Sequence, residues 1–240
     1  MATGFAAIRA RAEQRKGGAG ALAELLPALV SNADLAGTPD DRILAGMTRR
    51  IFCAGFVWRV IDQKWPGFEE AFLGFQPQRL AFEPDEFWER LASDTRVVRH
   101  RAKIAAVRHN AAFVCRVEAE RGSFGRLLAD WPAGDEIGLL AFLAKNGARL
   151  GGMTGQYFLR FIGWDAFILT RDVLAALRES GVEISEQATS KRDLAAAQEA
   201  FNVWTRETGL SYVALSRICA MSTGDNLGVQ TLLQRMHGED

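Results

Sequence analysis

The chain has 240 residues, 48% of them hydrophobic, and 29 basic residues against 29 acidic ones. A net charge of zero excludes a global field that pulls the chain toward nucleic acid or membrane, and leaves a local basic patch as the only electrostatic route to a polyanion. The three cysteines, Cys53, Cys115 and Cys219, stand far apart among apolar residues, which excludes a disulfide framework and fits a reducing cytoplasm.

No apolar run approaches the roughly 20 residues needed to span a bilayer. The first residues, MATGFAAIRARAEQRKGG, lack the apolar stretch of a signal peptide. A soluble, cytoplasmic, monomeric protein is expected. Residues 1–37 read as an N-terminal helical extension that packs on the outside or stays partly mobile, and residues 38–240 as the main domain. Within the extension, residues 5–15 and 21–30 form short helices separated by the glycines at 17, 18 and 20. Asp40 or Asp41 caps the next helix after Pro39. Ile43, Leu44, Met47 and Ile51 keep helical spacing, and the apolar pattern continues through Phe56, Val57, Trp58, Val60 and Ile61. Pro66 is expected to end that segment or to open the next helix, over residues 69–72.

Pro84-Asp85-Glu86 starts a further helix. The basic piece from Asp94 to Ile104 follows, carrying Arg96, Arg99, His100, Arg101 and Lys103, and it leads into a long helix over residues 105–121. Another helix covers residues 136–146. Then comes Leu150-Gly151-Gly152-Met153-Thr154-Gly155-Gln156, a glycine-rich turn opening onto the apolar run from Tyr157 to Ile162. Gly163 stops that run. Phe167-Ile168-Leu169 reads as a short strand-like piece, and helices are expected over 171–179, 195–207 and 211–221, with Ser190 as an N-cap. No alternation of β-branched residues suggests a sheet, so the fold class is all-α.

The turn at 150–155 carries the first functional suggestion. Exposed backbone amides at a helix start form a seat for a phosphate. Such a turn equally serves close packing between two helices. The surrounding blocks sharpen the reading. Ile51 to Trp58, Trp65-Pro66-Gly67-Phe68, Phe72 to Pro77 and the basic piece Asp94 to Ile104, in that order and followed by the hairpin, resemble the DNA-3-methyladenine glycosylase I family. The resemblance runs from about Asp40 to Val173. It implies a two-lobed helix-hairpin-helix fold in which the hairpin holds double-stranded DNA. A damaged base is then everted into a cleft and cut from its sugar.

By that resemblance Trp58 stacks on the base, with Arg50, Phe56 and Tyr157 around it. The alternative for Trp58 is a place in the core, and for Phe52 and Phe56 core packing is the stronger expectation. The hairpin residues Gly151, Gly152, Met153, Thr154, Gly155 and Gln156 would hold the DNA backbone. Arg99, Arg101, Lys103, Thr170, Arg171 and Lys191 would add contacts, each neutralised phosphate making binding more salt-dependent. Asp172 and Asp165 are the candidate catalytic carboxylates, although a helix N-terminal charge and a loop cap are the plainer readings of the two.

Three departures stand out. Arg50 occupies the position of the family's pocket glutamate, and an arginine repels a cationic methylpurine. Gln156 stands where bifunctional relatives carry a lysine, so no Schiff-base step is expected. The cysteines and histidines do not assemble a tetrahedral zinc site, since His237 is the only candidate near the C-terminus. No metal and no cofactor are expected. The sequence therefore leaves three functions in play. One is a monofunctional glycosylase for an alkylated, 3-methyladenine-like purine. Another is a DNA-binding protein of the same fold with little or no excision. The third is a helical protein-interaction domain.

Overall fold

The computed structural model describes residues 4–232, and among these every regular element is helical. In chain order the helices are α1 (Phe5–Lys16), α2 (Ala19–Glu24), α3 (Asn32–Ala36), α4 (Asp40–Cys53), α5 (Trp58–Ala71), α6 (Pro77–Phe82), α7 (Asp85–Leu91), α8 (Arg101–Arg121), α9 (Phe124–Asp130), α10 (Glu136–Asn146), α11 (Met153–Ile162), α12 (Arg171–Glu179), α13 (Lys191–Thr208) and α14 (Tyr212–Ser222). His237 lies outside the described residues. The described residues form two compact units. One takes the described parts of 1–29, 133–137 and 165–240, the other residues 30–132 and 138–164.

In the first unit the core is built by α1, α12, α13 and α14. Phe167 stacks on Phe201 with ring centroids 4.4 Å apart, and Trp204 and Tyr212 close the cluster. Phe5 of α1 packs on Trp204 at 5.2 Å, and Phe5, Ile8 and Ala12 are all buried. The polar, small-residue composition of the first 37 residues suggested an outer layer. Instead three apolar residues spaced by three and four put one face of α1 into this core. Residues 164–170 are extended but pair with no strand. Their amides are satisfied by side chains: Phe167 N donates to Glu136 Oε2 at 2.8 Å and Ile168 N to Ser216 Oγ at 3.1 Å. A single apolar segment can thus be buried as coil once neighbouring helices supply the acceptors.

In the second unit α4 buries Ile43, Leu44, Met47 and Ile51 along one face. It stops at Cys53, because Gly55 adopts φ +76° and turns the chain away. The helical pattern that continues past this point in the sequence therefore belongs to a separate helix, α5, which begins at Trp58. Pro66 neither ends α5 nor opens another helix but lies inside it. Pro66 is exposed, so the hydrogen bond it forfeits lies toward water, while Ile61, Phe68 and Ala71 bury the opposite side and hold the helix together. Helix α8 starts at Arg101, four residues earlier than its apolar pattern, since His100 Nδ1 accepts from Lys103 N and caps it.

Candidate functional site

The hairpin between α10 and α11 is held from below by α8. The buried amide of Asn110 donates from Nδ2 to Ala148 O at 3.1 Å and accepts from Ala148 N at 2.7 Å. His109 Nε2 and Arg116 also reach Asn146 O. These contacts fix where the turn sits. Leu150 is buried, Arg149 and Gly152 take left-handed backbone angles, and Gly151, Gly152 and Met153 are exposed. No side chain caps α11 at Gly152, so its first amides have no capping side-chain acceptor. Deeper in the helix, a side chain at Gly155 would overlap the Leu150 carbonyl oxygen, so the turn folds tightly only because that residue is glycine. Gln156 is buried. Of the hairpin residues expected at DNA, the structure presents Gly151, Gly152, Met153 and, half-buried, Thr154. Gly155 and Gln156 face inward.

One turn along, α11 carries Tyr157 and Phe161 on the same face, and both meet Trp58 at the start of α5. Trp58 and Tyr157 have ring centroids 5.3 Å apart and nearly perpendicular planes, and Trp58 and Phe161 are 5.8 Å apart. Trp58 is 39% exposed and Phe161 59%, so this is a surface cluster and not core. Phe161 is absent from the sequence reading. Its signal was the four-residue spacing from Tyr157, which places the two rings side by side on one helix.

Arg50 of α4 fills this cluster. Its guanidinium carbon lies 4.8 Å from the Trp58 centroid and 4.1 Å from the Phe161 centroid, a double cation–π arrangement. The residue is only 6% exposed, and its Nη1 is buried without a hydrogen-bond partner. Burial pushes its pKa down, with the neighbouring Arg49 adding to the effect. The nearby carboxylates are engaged by other arginines: Asp62 accepts from Arg49, and Glu69 accepts from both ends of the Arg42 fork at 2.8 and 3.1 Å. A pocket of about 220 Å³ adjoins, lined by Arg42, Arg49, Arg50, Trp65, Phe158 and Phe161 among others.

The other expected contacts divide. Lys103 is a correction: it is 4% exposed, and its ammonium donates to Phe52 O at 3.2 Å and Ala54 O at 2.6 Å. It closes the last turn of α4, where a cation complements the helix dipole, and it is not available to a phosphate. Phe56 is half-exposed and covers that ammonium at 4.4 Å, on His100 and not on Trp58. Phe52 is fully buried. Arg99 and Arg101 are exposed, whereas Arg96 and Arg108 are paired with Asp94 and Asp85.

Thr170, Arg171, Asp172, Asp165 and Lys191 belong to the first unit. Thr170 Oγ1 caps α12, accepting from Val173 N at 3.3 Å. Asp165 accepts from Tyr212 N at 3.1 Å and Val213 N at 2.8 Å, one with each oxygen, and so caps α14. Asp172 lies in the first turn of α12 and borders a pocket with Arg11, Arg15, Arg171 and Arg178. Lys191 is exposed at the start of α13, which Ser190 caps. Among the described residues no group of three or more His, Cys, Asp or Glu side chains is placed to hold a metal ion, and no helix is long and apolar enough to cross a membrane.

Residues 38–138, less than half of the chain, match the family model described as methyladenine glycosylase. Over that stretch the chain is similar to the methyladenine glycosylase family. The matched segment contains Arg50, Trp58 and the basic piece at 94–104, and it stops short of the hairpin. Among solved structures the chain is similar to 3-methyladenine DNA glycosylase I from Staphylococcus aureus, in a glutamate-to-glutamine mutant form, at 25% identity over 52% of this chain and 78% of that one, with a TM-score of 0.47. A second structure of the Staphylococcus aureus enzyme, described for 3-methyladenine recognition, matches at 25% identity over 52% and 77% with a TM-score of 0.47. A tyrosine-to-phenylalanine form of 3-methyladenine DNA glycosylase I in complex with 3-methyladenine matches at 25% over 53% and 81%, again with a TM-score of 0.47. No match was found among curated proteins.

Proposed function

We propose that this protein is a monofunctional DNA glycosylase of base-excision repair, one that everts a damaged base and hydrolyses its N-glycosidic bond with water as nucleophile. The supporting observation is that one helix does two things: α11 opens with uncapped amides at Gly152 and, one turn later, presents Tyr157 and Phe161 to the exposed indole of Trp58. A strand whose phosphate rests on those amides has its nucleobases within a helical turn of an aromatic surface, and every base stacks on such a surface. Arg99 and Arg101 supply further phosphate contacts, as do the Met153 amide and the Thr154 hydroxyl at the turn. The match of residues 38–138 to a methyladenine glycosylase model favours chemistry on a base over a purely protein-binding role. No carboxylate is assigned to steady the developing positive charge: Asp172 borders an arginine-lined pocket of the first unit, and both oxygens of Asp165 cap α14.

A second reading, damaged-duplex binding without excision, is favoured by one specific feature. The aromatic cluster already holds a cation, Arg50, where a positively charged methylpurine would need to sit. The two are separated by incubating the protein with duplexes carrying single lesions and measuring free base. Release that is lost in Trp58→Ala supports excision. Salt-sensitive duplex binding with no base released from any lesion overturns excision and leaves the binding reading. Absence of duplex affinity at low salt overturns both.

A further inference from the structure

We infer that Arg50 determines base specificity: it turns the site away from cationic alkylated bases and toward a neutral 6-oxopurine, whose adjacent O6 and N7 acceptors it reads. The inference rests on the base-eversion reading above and names its substrate class.

The first strand of the argument is charge. Two of the three rings of the cluster, Trp58 and Phe161, are taken up by the guanidinium at 4.8 and 4.1 Å. The carboxylates that could offset a second positive charge are committed, Asp62 to Arg49 and Glu69 to Arg42. A cationic base would therefore meet Arg50, Arg49 and Arg42 around one small pocket with no free counter-charge. The second strand is hydrogen bonding. Arg50 Nη1 is a buried donor without an acceptor, a condition that native proteins rarely leave unanswered. A guanidinium offers a fork of parallel N–H donors, and the edge that matches it carries two neighbouring acceptors. A 6-oxopurine has that edge. A 6-aminopurine sets an N–H donor against the fork and a 7-alkylated purine has lost the second acceptor. The third strand is size. About 220 Å³ falls below the usual 300–1,000 Å³ of small-molecule pockets and suits a single base without its sugar and phosphate. Phe161 is a wall of both the aromatic cluster and this pocket, and it is mostly exposed. The Phe161 ring lies against the guanidinium at 4.1 Å, so its displacement would open the guanidinium to an entering base.

The test uses the full chain and duplexes with one hypoxanthine or one 7-methylguanine, each flanked by 2-aminopurine, whose fluorescence rises when its neighbour leaves the stack. The wild-type protein is expected to evert hypoxanthine at concentrations at least about tenfold below those needed for 7-methylguanine, the discrimination one well-placed fork supplies. Arg50→Gln should bring the two within about twofold, and Arg50→Glu should reverse the order, since a carboxylate attracts the cationic base. Arg50→Lys, which keeps the charge and loses the fork, should still reject 7-methylguanine while losing affinity for hypoxanthine. Thermal unfolding of each variant confirms that it is folded. Eversion that is insensitive to all three substitutions, or a wild-type preference for 7-methylguanine, overturns the role of Arg50 alone. Lack of a 2-aminopurine signal with either lesion, despite duplex binding, overturns the eversion reading and this inference with it.

Discussion

The protein contains two aromatic clusters of similar make-up and opposite character. In the first unit Phe5, Phe167, Phe201, Trp204 and Tyr212 touch one another and are all buried, and the polar atoms among them are answered: Gln198 Nε2 donates to Tyr212 Oη at 2.8 Å, and Tyr212 Oη also bonds Asn202. In the second unit Trp58, Tyr157 and Phe161 meet at the surface around a buried guanidinium that leaves one donor unanswered. The first arrangement is what apolar burial and satisfied hydrogen bonds produce when stability alone is at issue. The second exposes large apolar rings and buries a charge, both unfavourable to folding, and that combination is the ground on which it is proposed as a binding surface. Residue type does not separate the two clusters; exposure and hydrogen-bond satisfaction do.

Substitutions test that contrast. The largest expected effect is at Phe201, where Phe201→Ala removes a fully buried ring stacked on Phe167 and should lower unfolding free energy in urea by about 3–5 kcal/mol. Next comes Asn110→Ala, which removes both hydrogen bonds to Ala148 and leaves buried backbone groups unpaired. A loss of about 2–3 kcal/mol is expected, together with weaker duplex binding as the hairpin loses its support. Gly155→Ala, forced against the Leu150 carbonyl, should cost about 1–3 kcal/mol and shift the hairpin in the same binding assay. Trp58→Ala should change stability by less than about 1 kcal/mol, because the ring is partly solvated, while abolishing lesion-dependent eversion. A stability loss at Trp58 as large as that at Phe201 would erase the distinction between core and site.

Alkaline pH probes the buried unit from another direction. Burial pushes both the Cys219 thiol and the Tyr212 phenol up to about 12, from ordinary values of 9.0 and 10.0. In each case the folded state holds its proton more tightly than the unfolded chain. The associated stability is complete below about pH 9 and is lost progressively as pH rises toward about 12. Thermal midpoints measured from about pH 8 to about pH 11 should therefore fall, and the Cys219→Ala and Tyr212→Phe variants should fall less steeply. A flat profile in the unsubstituted protein would show that neither group is shielded as the fold implies.

How far these features could be read from the chain differs from element to element. Ser190 before α13 and the span of α12 from Arg171 to Glu179 were legible because they follow from side chains within a few residues, whereas Asp40 and Asp41 lie inside α4 and do not cap it, Asp40 accepting instead from Phe124 N at 2.9 Å. The all-α class and the turn at Gly151–Gly152 were legible for the same reason. The break after Cys53 was not, since the apolar pattern runs on through Trp58 and only the left-handed backbone at Gly55 separates the two helices. Nor was the inward turn of Lys103, which depends on the carbonyls of Phe52 and Ala54 being presented by a helix about 50 residues away.

Periodicity, capping residues and glycine placement thus decided the helices and the hairpin, because each acts within one or two helical turns. Tertiary packing alone decided which aromatic rings face water and which basic residues remain accessible. It alone placed the Arg50 guanidinium between Trp58 and Phe161, because solvation is set by neighbours distant in sequence and a charge has no fixed meaning until its surroundings do.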